Sequence, residues 1–457
     1  MTSVPVTSTE SPANAVSQAR AAFRELPALG WAFAYFFCLL TGYYVLRPVR
    51  EAMSASSDVA ALFPQPMIDW FAARGLVLGE FVLQTLYTCT FIIMLLLQPV
   101  YGALVSRFPR RVFLPVIYAF FIACLLVFHV AFTQEWPGRG MAFFLWLTVF
   151  NLFAVTVFWS FMADVFSDVQ ARRVYGFIGA GGTIGAFLGP TLVTFFVKHA
   201  GIANLMLISA GFLIACAFCI FRLRPYAVAR ETTNKLASGE VPMGGSVLAG
   251  LKLIAKEPLL RAMALLQIAG VGVGSLLYSE QNIIARTFYP DDVARAAFFG
   301  WIDLGVNGLA LVIQLLFTRT LLSRYGVAPA ILIPIIGIMI GFSLLAASPL
   351  PIFVAMTQIA SRAGEFSLNK PARETIFTRV GREWRYKAGA AIDTVVYRGG
   401  DLTFVWLHKL FSTLGGSTAV FLAGIATSVG FLFAGLQVIR EQKHLPATDA
   451  TESERAP

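Results

Sequence analysis

Three stretches of this sequence place charge inside apolar runs, where it has nothing to dissolve in. The first is Tyr43-Tyr44-Val45-Leu46-Arg47-Pro48-Val49-Arg50-Glu51. Tyr43, Arg47 and Arg50 stand at i, i+4 and i+7, so a helix puts them on one face. A ring followed by two guanidinium groups suits a planar base stacked on tyrosine with phosphates clamped beyond it. Both arginines can equally snorkel into lipid headgroups, and Glu51 is spaced to pair with Arg47 in either case. The second stretch carries Arg362, Glu365, Asn369 and Arg373 at i, i+3, i+7 and i+11, with Lys370 beside them. Arg362 falls about a dozen residues into its segment, or ~18 Å at the helical rise, near a bilayer midplane. A cation at that depth costs roughly 3 kcal/mol or more, so it faces a water-filled cavity or a partner. Glu365 is the nearest candidate partner. The third stretch runs from Arg385-Tyr386-Lys387 through Ile392-Asp393 to Arg398-Gly399-Gly400-Asp401. Arg398 is again mid-span, Asp401 at i+3 is placed to neutralise it, and Asp393 lies nearer the inner end.

Other polar groups share the apolar segments: Asn151, Gln267, Glu280, Asp303 and Asn307. Glu280, Asp303, Glu365, Asp393 and Asp401 are candidates for carrying a proton, because burial favours the neutral carboxyl. They serve equally as counter-ions for the arginines, and the sequence leaves both roles open. At the inner ends, Arg107, Arg110, Arg111, Asp164, Asp168 and Arg172 form a candidate cytoplasmic gate. The bland alternative is solvated surface pairs such as Asp168 with Arg172. Gly181, Gly185 and Gly189 are four apart and precede Pro190. That spacing lets a neighbouring backbone approach one helix face, and the proline can bend the helix. The run follows no strand and holds no lysine, so it is a poor phosphate loop. Gly270 and Gly274 are candidates for a related role. The five cysteines lie in apolar runs, the four histidines are scattered, and no metal, cofactor or nucleophile–base motif emerges. An enzyme and a cofactor are therefore not expected.

The elements that must position these residues follow from composition. Of 457 residues, 57% are hydrophobic and 13% charged. A soluble chain of this size cannot cover so much apolar surface, and at roughly 20 residues per span there is room for about a dozen helices. Twelve apolar segments are legible: 29–49, 81–105, 112–132, 141–162, 175–197, 205–221, 259–282, 296–318, 328–347, 352–368, 388–410 and 419–438. The expectation is an all-α membrane protein with about twelve transmembrane helices in two six-helix halves. Residues 1–28 read as a flexible cytoplasmic tail, 29–221 as one half, 222–258 as a cytoplasmic linker, 259–438 as the other half, and 439–457 as a second tail. Lys and Arg gather in the tails, the linker and the even-numbered turns, which puts both termini in the cytoplasm. The net charge of +10 then reflects cytoplasmic loops, with no nucleic-acid partner. The partners expected are the lipid bilayer and a small anionic solute, and no oligomer is required.

Gly102, Leu104, Arg107, Arg110 and Arg111 follow the second segment, and Ser323-Arg324-Tyr325-Gly326 follow the eighth, so each half has a basic turn at the same place. The first of these turns resembles the loop signature of the major facilitator superfamily, with Ser106 at its acidic position and Pro109 at a glycine. The stretch 43–51, the stretch 164–189, and Arg385 to Asp393 with Arg398-Gly399-Gly400 together resemble the ATP/ADP-carrier-like branch of that superfamily, in a bacterial member. The resemblance implies nucleotide-for-nucleotide antiport, with Arg47, Arg50 and Arg398 facing phosphates. Three readings are open. The first is an exchanger of nucleotides or another phosphorylated anion that uses Tyr43, Arg47, Arg50, Arg362, Lys370 and Arg398. The second is a proton-coupled carrier of a neutral or cationic compound, including efflux. The third is a membrane protein that transports nothing.

Overall fold

The computed structural model describes residues 12–107, 110–166, 168–234, 247–380 and 388–444. Among them every regular element is helical. In chain order these are α1 (Pro12–Ser54), α2 (Val59–Leu62), α3 (Gln65–Ala72), α4 (Val82–Arg107), α5 (Arg110–Thr133), α6 (Arg139–Val165), α7 (Asp168–Asn234) and α8 (Val247–Lys256). They continue with α9 (Pro258–Phe288), α10 (Asp292–Ile313), α11 (Arg319–Tyr325), α12 (Val327–Ala347), α13 (Pro351–Gly364), α14 (Lys370–Thr378), α15 (Gly389–Ala391) and α16 (Tyr397–Glu441).

Nine helical stretches among the described residues are long and apolar enough to cross a membrane. Two of them are hairpins. Helix α7 leaves helical angles at Gly201 (φ 76°, ψ 163°), and α16 does so at Gly415 and Gly416. Both breaks fall where the hydropathy dips between apolar segments. With each hairpin crossing twice and the more polar α13–α14 stretch added, the helices match the segments read from the sequence. The backbone keeps helical angles through Pro190 and leaves them at Gly201. Helices α2 and α3, between the first two spans, were not legible in the hydropathy.

Among the described residues, π-helical turns in the second half include Gln314–Thr318 between α10 and α11, Glu365–Asn369 between α13 and α14, and Ile392–Val396 between α15 and α16. Such turns insert an extra residue and recur at functional sites. The buried side chains form two large clusters. One joins α1, α5, α6 and α7, and takes in Ala296, Phe299, Ile302 and Val306 of α10. The other joins α9, α12, α13, α14 and α16. Helix α10 thus belongs to the second half in sequence but packs into the core of the first, which carries Asp303 to the boundary between them.

The glycine stripe packs as its spacing implied. A Cβ at Gly181 would lie 2.7 Å from the Phe33 carbonyl oxygen, one at Gly185 closer still to that of Phe37, and one at Gly189 2.6 Å from the Tyr44 Cβ. Helices α7 and α1 therefore meet backbone to backbone, which fixes the height of Tyr43, Arg47 and Arg50. The second half differs. Gly272 sits against the Phe404 ring, Gly270 touches Phe431, and Gly274 faces open space. Gly185→Leu is expected to push α1 and α7 apart at a cost of about 1–3 kcal/mol or more. A lower melting temperature of the purified protein checks this, and an unchanged one would refute the close packing.

Candidate functional site

Between the halves lies a cavity of about 420 Å³, within the size range of small-molecule sites. Helix α1 supplies Tyr43, Tyr44, Arg47 and Arg50 to its wall, α13 supplies Arg362, and α16 supplies Tyr397, Arg398 and Asp401. Tyr87 of α4, with Phe144 and Asn151 of α6, completes the opposite side. The cavity thus combines aromatic faces with four guanidinium groups.

The charges are organised around two buried carboxylates. Asp303 is 2% exposed. Its Oδ1 accepts from Arg362 Nη1 at 2.8 Å and lies 3.0 Å from Arg47 Nη1. Its Oδ2 is buried with no hydrogen-bond partner among the described residues. One carboxylate oxygen therefore ties α1, α10 and α13 together. Glu51 takes the other pair. Arg50 Nη2 lies 2.5 Å from its Oε1, Arg47 Nε lies 3.8 Å away, and the Tyr278 hydroxyl donates to its Oε2. The Arg50 guanidinium also stacks over the Phe144 ring at 5.1 Å. Arg398 differs from the other three. It stands 5.5 Å from the Tyr397 ring centroid and makes no ion pair among the described residues. Asp401 accepts from the Ser275 hydroxyl at 2.6 Å instead of pairing with it.

Several residues singled out above therefore converge: Tyr43, Arg47, Arg50, Arg362 and Arg398, with Asp303 and Asp401. Others do not. Lys370 is exposed and does not line the cavity. Glu365 accepts from the Asn369 side chain at 2.7 Å, so it is not the partner of Arg362. Asp393 is 57% exposed and pairs with Arg373 at 3.2 Å, and Arg373 also donates to Gln267. Glu280 is fully buried outside the cavity, with its Oε1 2.8 Å from His408 Nε2. Asp164 lies in the last turn of α6. The side chains of Arg107, Arg110, Arg111, Asp168 and Arg172 lie outside the described residues.

The sequence reading missed a clamp at the end of α1. Ser54 donates to Asn282 Oδ1 at 2.8 Å and lies 3.0 Å from the Tyr278 hydroxyl. Arg286 donates to the Ala55 carbonyl at 3.2 Å, and Gln84 to that of Val405 at 3.0 Å. These bonds join the halves on the side of the membrane where α1 ends. Tyr278 and Asn282 stand at i, i+4, and that spacing was the one signal of it in the sequence. Glu51 lies at the junction, bonded to Arg50 in the cavity wall and to Tyr278 in the clamp.

Comparison with known proteins agrees with this architecture. At 22% identity, "ADP,ATP carrier protein 1" of Chlamydia muridarum aligns over 93% of this chain and 92% of its own length. At 20% identity, "ADP,ATP carrier protein 2, chloroplastic" of Arabidopsis thaliana aligns over 86% of this chain and 71% of its own. Among solved structures, an auto-inhibited POT family peptide transporter superposes with a TM-score of 0.60 at 14% identity, covering 93% of this chain and 98% of that one. A nucleoside transporter, NupG, superposes with a TM-score of 0.53 at 13% identity, covering 92% and 99%. The sequence model of the Major Facilitator Superfamily matches residues 32–283, more than half of the chain. A helical membrane protein with a charged cavity between two halves, matched over that length, belongs to the Major Facilitator Superfamily.

Proposed function

We propose that this transporter carries a phosphorylated organic anion of the nucleotide class by alternating access, exchanging one molecule for another, with ATP against ADP the simplest case. The observation that carries the reading is the cavity itself. Four guanidinium groups and several aromatic rings line one space between the halves, and Arg398 there has no ion-pair partner among the described residues. An anion that enters meets Arg398 first, because no ion pair must break. Tyr43, Arg47, Arg50 and Arg362 complete the set that would hold it. The names of the ADP,ATP carrier relatives point the same way. The halves, residues 29–221 and 259–438, would rock around this site. The basic inner stretches support both termini in the cytoplasm, and the Chlamydia carrier relative supports a bacterial cytoplasmic membrane. One chain supplies both walls of the cavity, so the reading needs no oligomer.

The test uses purified protein in liposomes and labelled ATP or AMP outside. Uptake is expected to rise at least tenfold when the vesicles hold unlabelled nucleotide instead of buffer. Equal uptake into empty vesicles would overturn exchange. No uptake by correctly inserted protein would overturn the nucleotide reading. One observation favours a second reading, proton coupling: Glu280 and His408 form a buried pair in which Glu280 Oε2 and His408 Nδ1 are both without a partner among the described residues. Under that reading a pH gradient alone drives uptake into empty vesicles.

A further inference from the structure

The charges around the cavity nearly cancel. Among the described residues the lining cations are Arg47, Arg50, Arg362 and Arg398. Against them stand Asp401 in the wall and Asp303 and Glu51, which hold three of those guanidinium groups. Four cations and three carboxylates leave one positive charge. Lys370 is exposed away from the site, and Arg373 engages Asp393, so neither adds to the balance.

Such a balance discriminates between anions. A phosphomonoester carries about −1.5 to −2 near neutral pH, and each further phosphate in a chain adds about one more negative charge. Arg398 is available without loss. Any further cation must be drawn from Asp303 or Glu51, which leaves a buried carboxylate with one arginine fewer, and weakening a buried pair is costly. Asp401 sharpens the choice. It stands three residues beyond Arg398, on the same face of α16, and both line the cavity. It is bonded to the Ser275 hydroxyl at 2.6 Å and makes no ion pair among the described residues. A single phosphate on Arg398 is accommodated. A second or third phosphate extending along this face meets the carboxylate of Asp401, a like charge in the same cavity wall.

We propose that the site takes a phosphomonoester of about two negative charges, such as a nucleoside monophosphate, in preference to the di- or triphosphate, and that Asp401 sets this preference. The proposal rests on the reading of the cavity as a nucleotide-class anion site and replaces its ATP-against-ADP case with a monophosphate. The aromatic walls at Tyr43, Tyr87, Phe144 and Tyr397 offer stacking surfaces for the base.

The experiment measures thermal unfolding of the purified full-length protein in detergent, at fixed ionic strength with EDTA. Adenosine, AMP, ADP and ATP are titrated in turn. A ligand that binds the folded state raises the transition by an amount that grows with the logarithm of its concentration over its Kd. AMP is expected to give the same shift at a concentration at least tenfold below ATP, with adenosine weaker than AMP. Asp401→Asn keeps the side-chain volume and an acceptor for Ser275. It should shrink the gap to less than threefold or reverse it. If ATP acts at the same concentration as AMP or below it, the proposal fails while the anion reading stands. If Asp401→Asn leaves the ratio unchanged, the role of Asp401 fails. If none of the four ligands stabilises the protein, the nucleotide-class reading and the proposal fall together.

Discussion

Replacing Asp303 by alanine is expected to abolish transport and to lower the stability of the fold by about 3–5 kcal/mol, the usual cost of stranding a buried charge. The size follows from the groups Asp303 holds. Arg47 and Arg362 both reach its Oδ1, one from each half of the chain. Its neighbours Ile302 and Val306 sit in the core of the first half, so α10 has little freedom to move and repair the loss. Alanine leaves two largely buried guanidinium groups with one fewer anion. Asp303→Asn keeps an acceptor oxygen and is expected to fold better than the alanine variant, while still losing transport. Thermal unfolding with reconstituted uptake checks both. A double-mutant cycle sharpens the test: Asp303→Ala combined with Arg362→Ala should cost less than the sum of the two single changes, because the pair shares one interaction. An Asp303→Ala protein that melts with the parent would show that the triad organises nothing.

Asp303 also marks where sequence reasoning stops. The sequence placed Arg362 at mid-span and required a partner for it. Spacing along one helix offered Glu365, three residues away. The partner lies 59 residues away on another helix, and periodicity carries no information about which helix stands opposite. The glycine stripe was legible because its signal is local: three small residues four apart leave room for a neighbour, and α1 fills it. The stripe 362, 365, 369 and 373 failed for a different reason. It assumes 3.6 residues per turn throughout, and the turn Glu365–Asn369 is π-helical. One extra residue rotates the helix beyond it, so Lys370 and Arg373 leave the face that Arg362 occupies. The turn Ile392–Val396 does the same between Asp393 and Arg398. The hydropathy found the spans because apolar length is all that a span requires. The clamp of Ser54, Tyr278 and Asn282 uses common polar residues near span ends, and nothing in their types sets them apart.

Arg398→Ala is expected to weaken anion binding about a hundredfold, the loss when one partner of a desolvated charge pair is truncated, and to leave the unliganded protein as stable as the parent. Both parts of that expectation come from one fact. Arg398 lines the cavity without an ion pair among the described residues, so removing it strands no carboxylate, and Asp401 keeps its bond to Ser275. Folding and binding therefore separate at this position, whereas at Asp303 they fall together. Arg398→Lys keeps the charge and loses the planar fork that grips two phosphate oxygens. It should recover part of the binding and less of the discrimination between ligands. The measurement is unfolding with and without nucleotide, followed by exchange in liposomes. A variant that exchanges at the parent rate would remove Arg398 from the site. A variant that melts early without ligand would assign it to the scaffold. Unchanged intrinsic stability with binding lost is the outcome that a free cation facing the solute path requires, and neither Arg47 nor Arg362 can produce it, because the loss of either leaves Asp303 short of a cation.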